Sequence, residues 1–307
     1  MQPLIYNYMA PIEFGEALCR TLDGQPGRYE LRRFPDGETY LRLLDNCQGR
    51  PVVLLANLHQ PDHQFLPIAY FSEALREMGA IRITLAVPYL PYMRQDCRFH
   101  EGEAITSRTF ARLLSSLVDE LITIDPHLHR YQGLDEIYAI PSRVTHADTA
   151  LAQWVRTHIE QPLIVGPDEE SVQWVSLIAE QVGCPVLVLR KTRLGDRDVR
   201  IEVPDLEAYR QHTPVLIDDI ISTGRTMLET ASNLVKAGMS PPYCLGIHGV
   251  FAPGAYEEMT AGPVAAVITT NTVPHASNQI RVDDILARAV KATWARPDNV
   301  ALEVVEH

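Results

Sequence analysis

Positive charge is in short supply in this chain: 27 Lys and Arg residues face 39 Asp and Glu, a formal net charge of -12 at pH 7. A surface of that sign repels nucleic-acid phosphates and anionic lipid headgroups at long range, which excludes nonspecific binding to either. A small anionic ligand held by local basic residues is still allowed. Cysteine is sparse too. The five (Cys19, Cys47, Cys97, Cys184 and Cys244) are odd in number, scattered, and contain no CxxC pair. Neither a disulfide framework nor a zinc knuckle is indicated, and reduced structural thiols are expected. No apolar run reaches the roughly 18 residues of a membrane span. The opening MQPLIYNYMAPIEFGEALC lacks a basic segment followed by a long apolar core. The expectation is a soluble, cytoplasmic protein. Low-complexity segments and short-period repeats are also missing.

What is present is an ordinary globular composition, 46% hydrophobic and 21% charged. Its 307 residues exceed the usual single-domain size, so two domains of roughly 150 residues are expected. Short aliphatic runs recur along the chain: VVLLA at 52–56, IRITLAV at 81–87, ELITI at 120–124, LIVG at 163–166, PVLVL at 185–189, PVLI at 214–217 and AAVITT at 265–270. Runs this short suit strands buried on both faces. Between them, Phe65, Ile68, Ala69, Ala74, Leu75 and Met78 fall mainly on one helical face, as do Met227, Leu228, Ala231, Leu234 and Val235. Gly79 and Gly238 stand where helix C-caps belong. Alternating strand and helix predicts an α/β fold of two similar doubly wound domains with mainly parallel sheets. The pattern breaks at IPSRVTH, which sets the domains at 1–145 and 146–294, with 295–307 a candidate to return onto the first.

The most informative segment is VLIDDIISTGRT, Val215–Thr226. Asp218 and Asp219 end a buried strand, at the edge where open α/β sheets bind ligands. Ser222, Thr223 and Gly224 then lead directly into a helix, so backbone N–H groups and a helix N-terminus face a phosphate. Gly224 lets the backbone come close, the hydroxyls of Ser222, Thr223 and Thr226 can donate to phosphate oxygens, and the paired acids suit ribose hydroxyls or Mg²⁺. Taken in pieces, the acids could simply cap the strand and the STG triplet the helix. Taken whole, all twelve residues resemble the signature loop of the phosphoribosyltransferase superfamily. That resemblance implies that the acids grip the ribose hydroxyls and that the loop, Arg225 included, holds the 5-phosphate.

Three further segments precede it: FPDGE at Phe34–Glu38, PYMRQDCR at Pro91–Arg98 and DPH at Asp125–His127. FPDGE offers an aromatic face and two carboxylates at a glycine-permitted turn, although a solvated hairpin turn looks the same. RQDCR sets two guanidiniums four residues apart, suited to forked phosphate contacts, with a glutamine able to bind adenine or ribose. A solvent-facing charged loop is the competing reading. A lone histidine after a strand, such as His127, is more often structural than a ligand.

In this order and spacing, over about residues 30–290, the four motifs resemble the ribose-phosphate diphosphokinase family, which makes phosphoribosyl pyrophosphate. The resemblance assigns Phe34, Asp36 and Glu38 to ATP from a neighbouring subunit, so a homo-oligomer is implied. It assigns Arg94 and Gln95, with Asp96 between the two arginines, to ATP. His127 becomes a Mg²⁺ ligand with Asp125 beside it, while His100, His129 and His146 receive no role. Asp168 of GPDEES becomes a ligand of metal and of the acceptor sugar. Lys191 and Arg193 open a charged stretch like the family's mobile flap, which closes over the transferring phosphates. Without the resemblance, that stretch reads equally as a solvated hairpin tip.

The chain also departs from the family. Cys97 stands where many members carry Arg. Glu169 and Glu170 replace a small or glycine pair, either pointing outward or reshaping the acceptor pocket. Ser222 and Arg225 replace the Asp and Gly of many bacterial members, and the chain looks closer to the archaeal-type branch, for which strong phosphate activation is not expected. The implied reaction moves the β,γ-diphosphoryl group of Mg-ATP to the C1 hydroxyl of ribose 5-phosphate. Three alternatives share parts of the pattern: a phosphoribosyltransferase, a noncatalytic regulatory paralogue, and a diphosphokinase with another ribosyl 5-phosphate acceptor.

Overall fold

A computed structural model describes residues 2–166, 172–193, 199–202 and 206–295. These divide into two compact units, Met1–Thr145 with the segment from Asp283, and His146–Val282. The first unit runs β1 (Leu4–Tyr8), α1 (Ile12–Leu22), β2 (Gln25–Pro26), β3 (Tyr29–Arg33), β4 (Thr39–Leu43), β5 (Pro51–Ala56), α2 (Phe65–Glu77), β6 (Arg82–Val87), α3 (Thr106–Ser115), β7 (Glu120–Ile124) and β8 (Ser142–Thr145). Six of its strands form a parallel sheet in the order β2-β1-β5-β6-β7-β8.

Side chains alternate across that sheet. Leu4, Tyr6, Val52, Leu54, Ile83, Leu85 and Leu121 pack into a core with Ile68, Phe71 and Leu75 of α2 and Phe110, Ala111 and Leu114 of α3. Ile5, Val53, Leu55, Ala86, Ile122 and Ile124 point the other way and are also fully buried. Both faces are therefore apolar, which is why the strands read as continuous hydrophobic runs.

The second unit runs α4 (Asp148–His158), β9 (Pro162–Gly166), α5 (Val172–Val182), β10 (Val186–Val188), β11 (Arg190–Arg193), β12 (Val199–Glu202), β13 (Thr213–Ile221), α6 (Arg225–Lys236), β14 (Tyr243–Gly249), α7 (Ala255–Ala261), β15 (Ala266–Thr270) and β16 (Asn278–Ile280). Its parallel sheet has the order β10-β9-β13-β14-β15-β16. On one face Leu163, Val165, Leu216, Cys244 and Val267 pack with Met227, Ala231 and Leu234 of α6 and Met259 of α7.

The last helix, α8 (Asp283–Trp294), belongs to the first unit, where it packs on α1 and over β6, β7 and β8. The local pattern leaves residues 283–294 with the second domain, whereas the structure returns them to the first. The indole Nε1–H of Trp294 reaches Thr84 Oγ1 at 2.8 Å and Glu120 Oε1 at 2.7 Å. Arg20 of α1 pairs with Asp284 at 2.7 Å. Residues 296–307 lie outside the described residues.

Candidate active site

In the second unit, β13 feeds straight into the phosphate-type turn. Asp218 and Asp219 are half-buried at the end of the strand, and the Asp219 N–H donates to Asp218 Oδ1 at 3.0 Å. The turn rests on the segment after β14: Val250 N–H donates to the Ile221 carbonyl (3.0 Å) and Ala252 N–H to that of Ser222 (3.1 Å). Gly224 is buried, N-caps α6 in the left-handed region at φ 67°, and has no room for a Cβ because Met259 lies against it. Among the described residues no side chain caps α6, which leaves its first N–H groups able to bind an anion. Thr223 and Arg225 are exposed, and Ser222 and Thr226 half-buried, on the open side of this turn. Asp218, Asp219 and Ser222–Thr226 therefore lie on one contiguous strand–turn–helix segment.

In the first unit, Arg94, Gln95 and His127 follow strands at the carboxyl edge of its parallel sheet. Four non-glycine residues with positive φ follow strands there: Met9 after β1 (62°), Gln60 after β5 (65°), Tyr92 after β6 (64°) and Asp125 after β7 (34°). Such backbone is costly for L residues and concentrates where a chain must be aimed at a ligand. The phenol of Tyr92 donates to the Asp62 carboxylate; burial first, and then that carboxylate, push its pKa up to about 12.

The arginine loop that follows β6 is built by its own side chains. Glu103 accepts the N–H groups of Phe99 (2.8 Å) and His100 (3.1 Å), which hold its carboxyl below the ordinary carboxylate range. Arg98 Nε donates to the Glu103 carbonyl at 3.0 Å. Arg94 is exposed and Gln95 half-buried, whereas Asp96 is buried and paired with Arg130 at 2.8 Å.

Asp125 N–H donates to the Thr145 carbonyl at 3.0 Å, and His127 follows it on the same edge. The His127 ring lies 3.6 Å from that of His129, centroid to centroid. Imidazole nitrogens are good donors to a divalent cation, so this pair fits a metal-bearing edge. The family resemblance assigns His129 no role. His-Leu-His does set two imidazoles at i and i+2, the repeat that brings side chains to one side of extended chain.

The FPDGE turn joins β3 to β4, which among the described residues pair only with each other. Phe34 N–H donates to the Glu38 carbonyl (2.8 Å), Gly37 sits at φ 94°, and Glu38 N–H donates to Asp36 Oδ1 (3.2 Å). The Arg32 guanidinium lies 4.5 Å from the Phe34 ring and 4.3 Å from that of Tyr40. Leu31 and Phe34 are 37% and 39% exposed, so this hairpin presents apolar surface to its surroundings.

Asp168, Glu169 and Glu170 lie outside the described residues. Lys191 and Arg193 occupy β11, which pairs antiparallel with β12 in the register Lys191↔Ile201 and Arg193↔Val199. No helix among the described residues is long and apolar enough to cross a membrane.

Comparison with known proteins bears on both units. Residues 4–117 match the N-terminal domain of ribose phosphate pyrophosphokinase, and residues 133–285 match the phosphoribosyl transferase domain. A ribose-phosphate pyrophosphokinase of Sulfurisphaera tokodaii is 32% identical over 84% of this chain and 89% of its own. One from Methanothermobacter thermautotrophicus is 30% identical over 94% of this chain and all of its own. The crystal structure of phosphoribosylpyrophosphate synthetase from Mycobacterium smegmatis superposes with a TM-score of 0.83 at 25% identity, covering 96% of this chain and 99% of that one. With a matching N-terminal domain, a matching phosphoribosyl transferase domain and relatives covered over most of their length, the chain belongs to the ribose-phosphate pyrophosphokinase family.

Proposed function

We propose that the chain transfers the β,γ-diphosphoryl group of Mg-ATP to the C1 hydroxyl of ribose 5-phosphate, giving phosphoribosyl pyrophosphate and AMP in the cytoplasm. One observation carries this reading: the turn Asp218–Thr226 shares a chain with an N-terminal unit of ribose phosphate pyrophosphokinase type over residues 4–117. An enzyme that consumes phosphoribosyl pyrophosphate needs the turn but not that unit.

In this reading the C1 oxygen attacks the β-phosphorus and the bond from that phosphorus to the α,β-bridging oxygen breaks. AMP leaves with the electron pair, and the proton of the C1 hydroxyl is released. Asp218 and Asp219 hold the ribose hydroxyls, and Ser222–Thr226 anchor the 5-phosphate. Arg94 and Gln95 grip ATP. His127 and Asp168 would hold Mg²⁺, whose chemistry is charge neutralisation on the ATP oxygens. Lys191 and Arg193 stabilise charge on the transferring group and exclude water. Positioning and electrostatics carry most of the rate, as in other phosphoryl transfers. A second copy of the chain brings Phe34, Asp36 and Glu38 to the nucleotide, a role that suits a hairpin paired with no other strand among the described residues.

A second reading, a different ribosyl 5-phosphate acceptor, is favoured by the two extra acids Glu169 and Glu170 beside Asp168. Incubation with Mg-ATP and a panel of ribosyl 5-phosphates, with AMP as the readout, tests both. AMP release with ribose 5-phosphate supports the first reading, and release only with another acceptor supports the second. No AMP with any acceptor, together with consumption of phosphoribosyl pyrophosphate in the presence of a nucleobase, overturns both.

A further inference from the structure

We propose that Arg130 is a positioning residue that locks the nucleotide-side arginine loop onto the histidine turn. The inference rests on the reading of Arg94 and Gln95 as ATP contacts. Asp96, next to both, has a side chain only 1% exposed, and Arg130 Nη1 meets its Oδ1 at 2.8 Å. Its other oxygen, Oδ2, is buried with no hydrogen-bond partner. A carboxylate so placed depends on the one cation beside it, because a buried charge without its partner is strongly disfavoured.

Two more contacts tie the same loop to the same turn, and two further hydrogen bonds run through Ser107 of α3. The Arg130 guanidinium lies 5.5 Å from the centroid of the Phe99 ring, so one side chain reaches the loop at residues 96 and 99. The hydroxyl of the buried Tyr131 donates to the Asp96 carbonyl at 3.1 Å. Having spent its only proton there, it accepts from Ser107 Oγ at 3.0 Å. Ser107 N–H donates to the Gln95 carbonyl at 3.4 Å. Residues 95, 96 and 99 are thus held from Arg130, Tyr131 and the first turn of α3, while Arg94 is left exposed toward solvent.

Arg130 and Tyr131 follow His127 by three and four residues, so the clamp couples the loop that would grip ATP to the turn that would hold its metal. Losing Arg130 frees Asp96 to seek water. The peptide that leaves with it carries Gln95 and Arg94.

The test uses full-length protein and the variants Arg130→Gln, Arg130→Lys and Asp96→Asn/Arg130→Gln. A fluorescent ATP analogue reports nucleotide binding, and steady-state kinetics report KM for each substrate. Arg130→Gln is expected to weaken nucleotide binding about 10- to 100-fold, the loss typical of groups that orient a ligand-contacting residue. KM for ribose 5-phosphate stays as in the parent. Arg130→Lys keeps the charge but not the planar guanidinium that lies over Phe99, and shows a smaller loss. The double variant removes both charges and recovers part of the affinity, which a general loss of stability would not do.

Unchanged nucleotide binding in a folded Arg130→Gln protein overturns the proposal, and so does an equal rise in both KM values. Should that variant not fold, Arg130→Lys carries the test: nucleotide affinity equal to the parent's overturns the clamp. A parent protein that binds nucleotide but releases no AMP defeats the proposed reaction only, and the clamp is then judged by binding alone.

Discussion

Met259, fully buried on α7, occupies the space that a side chain on Gly224 would need. The phosphate turn is therefore moulded from behind by a thioether. Gly224→Ala incurs two costs: roughly 1–2 kcal/mol for a Cβ in the left-handed region and about 1–3 kcal/mol for overpacking against Met259. A higher KM for ribose 5-phosphate and a lower urea midpoint are expected. In a double-mutant cycle with Met259→Ala, the second change relieves part of the first, so additive effects would contradict this packing.

Lys191→Ala should lower turnover by about 3–4 kcal/mol, as removal of other transition-state contacts does. KM for ribose 5-phosphate should stay near the parent value, because in the proposed reading that sugar is held by the β13–α6 turn. Single-turnover AMP release checks this, and near-normal turnover would remove Lys191 from the transferring group.

The phosphate turn was legible because everything it needs is contiguous: a strand, two acids, hydroxyls, a glycine and a helix within twelve residues. The inner strands were legible because burial on both faces makes them uninterrupted apolar runs, as at Val52–Ala56 and Glu120–Ile124. β1 was not, since Asn7 and two tyrosine hydroxyls disguise an inner strand. β8 lies inside IPSRVTH, which looks like a break because an edge strand has half-buried residues throughout. The clamp on Asp96 and the lock on Glu120 were invisible for another reason. Their partners are 34 and 174 residues away in sequence, and no local pattern encodes such a pairing.

The base of the FPDGE hairpin is closed by Arg28 and Asp45. Arg28 Nε (3.0 Å) and Nη2 (2.8 Å) both donate to Asp45 Oδ1, and its backbone N–H donates to Oδ2. Hydrogen bonding to Arg28 holds the Asp45 carboxyl below its ordinary 3.8. A depressed folded-state pKa stabilises the fold above the unfolded value and loses that contribution as pH falls through the folded value. Asp45→Asn should therefore be less stable than the parent near neutrality, and the difference should shrink below pH 3.8. Urea midpoints of the two proteins across an acid series give the comparison; a gap independent of pH would exclude the charge as its source.

Trp294 poses the sharpest question about where the first unit ends. Its indole N–H serves Glu120, whose side chain is 2% exposed and pairs with Arg82 at 2.8 Å, while Thr84 also donates to that carboxylate. Trp294→Phe keeps most of the ring packing but takes a donor from a buried anionic group, a cost of about 1–3 kcal/mol. That loss should appear in the unfolding transition of the first unit alone, since Glu120, Thr84 and Trp294 all belong to it. A chain cut after Thr145 removes the whole of α8 and uncovers the apolar face of β6, β7 and β8. It should bind a hydrophobic dye and lack a cooperative transition, whereas co-expression with a segment carrying residues 283–295 should restore one. A cooperative, dye-silent fragment 1–145 would mean that α8 only decorates a unit already complete without it.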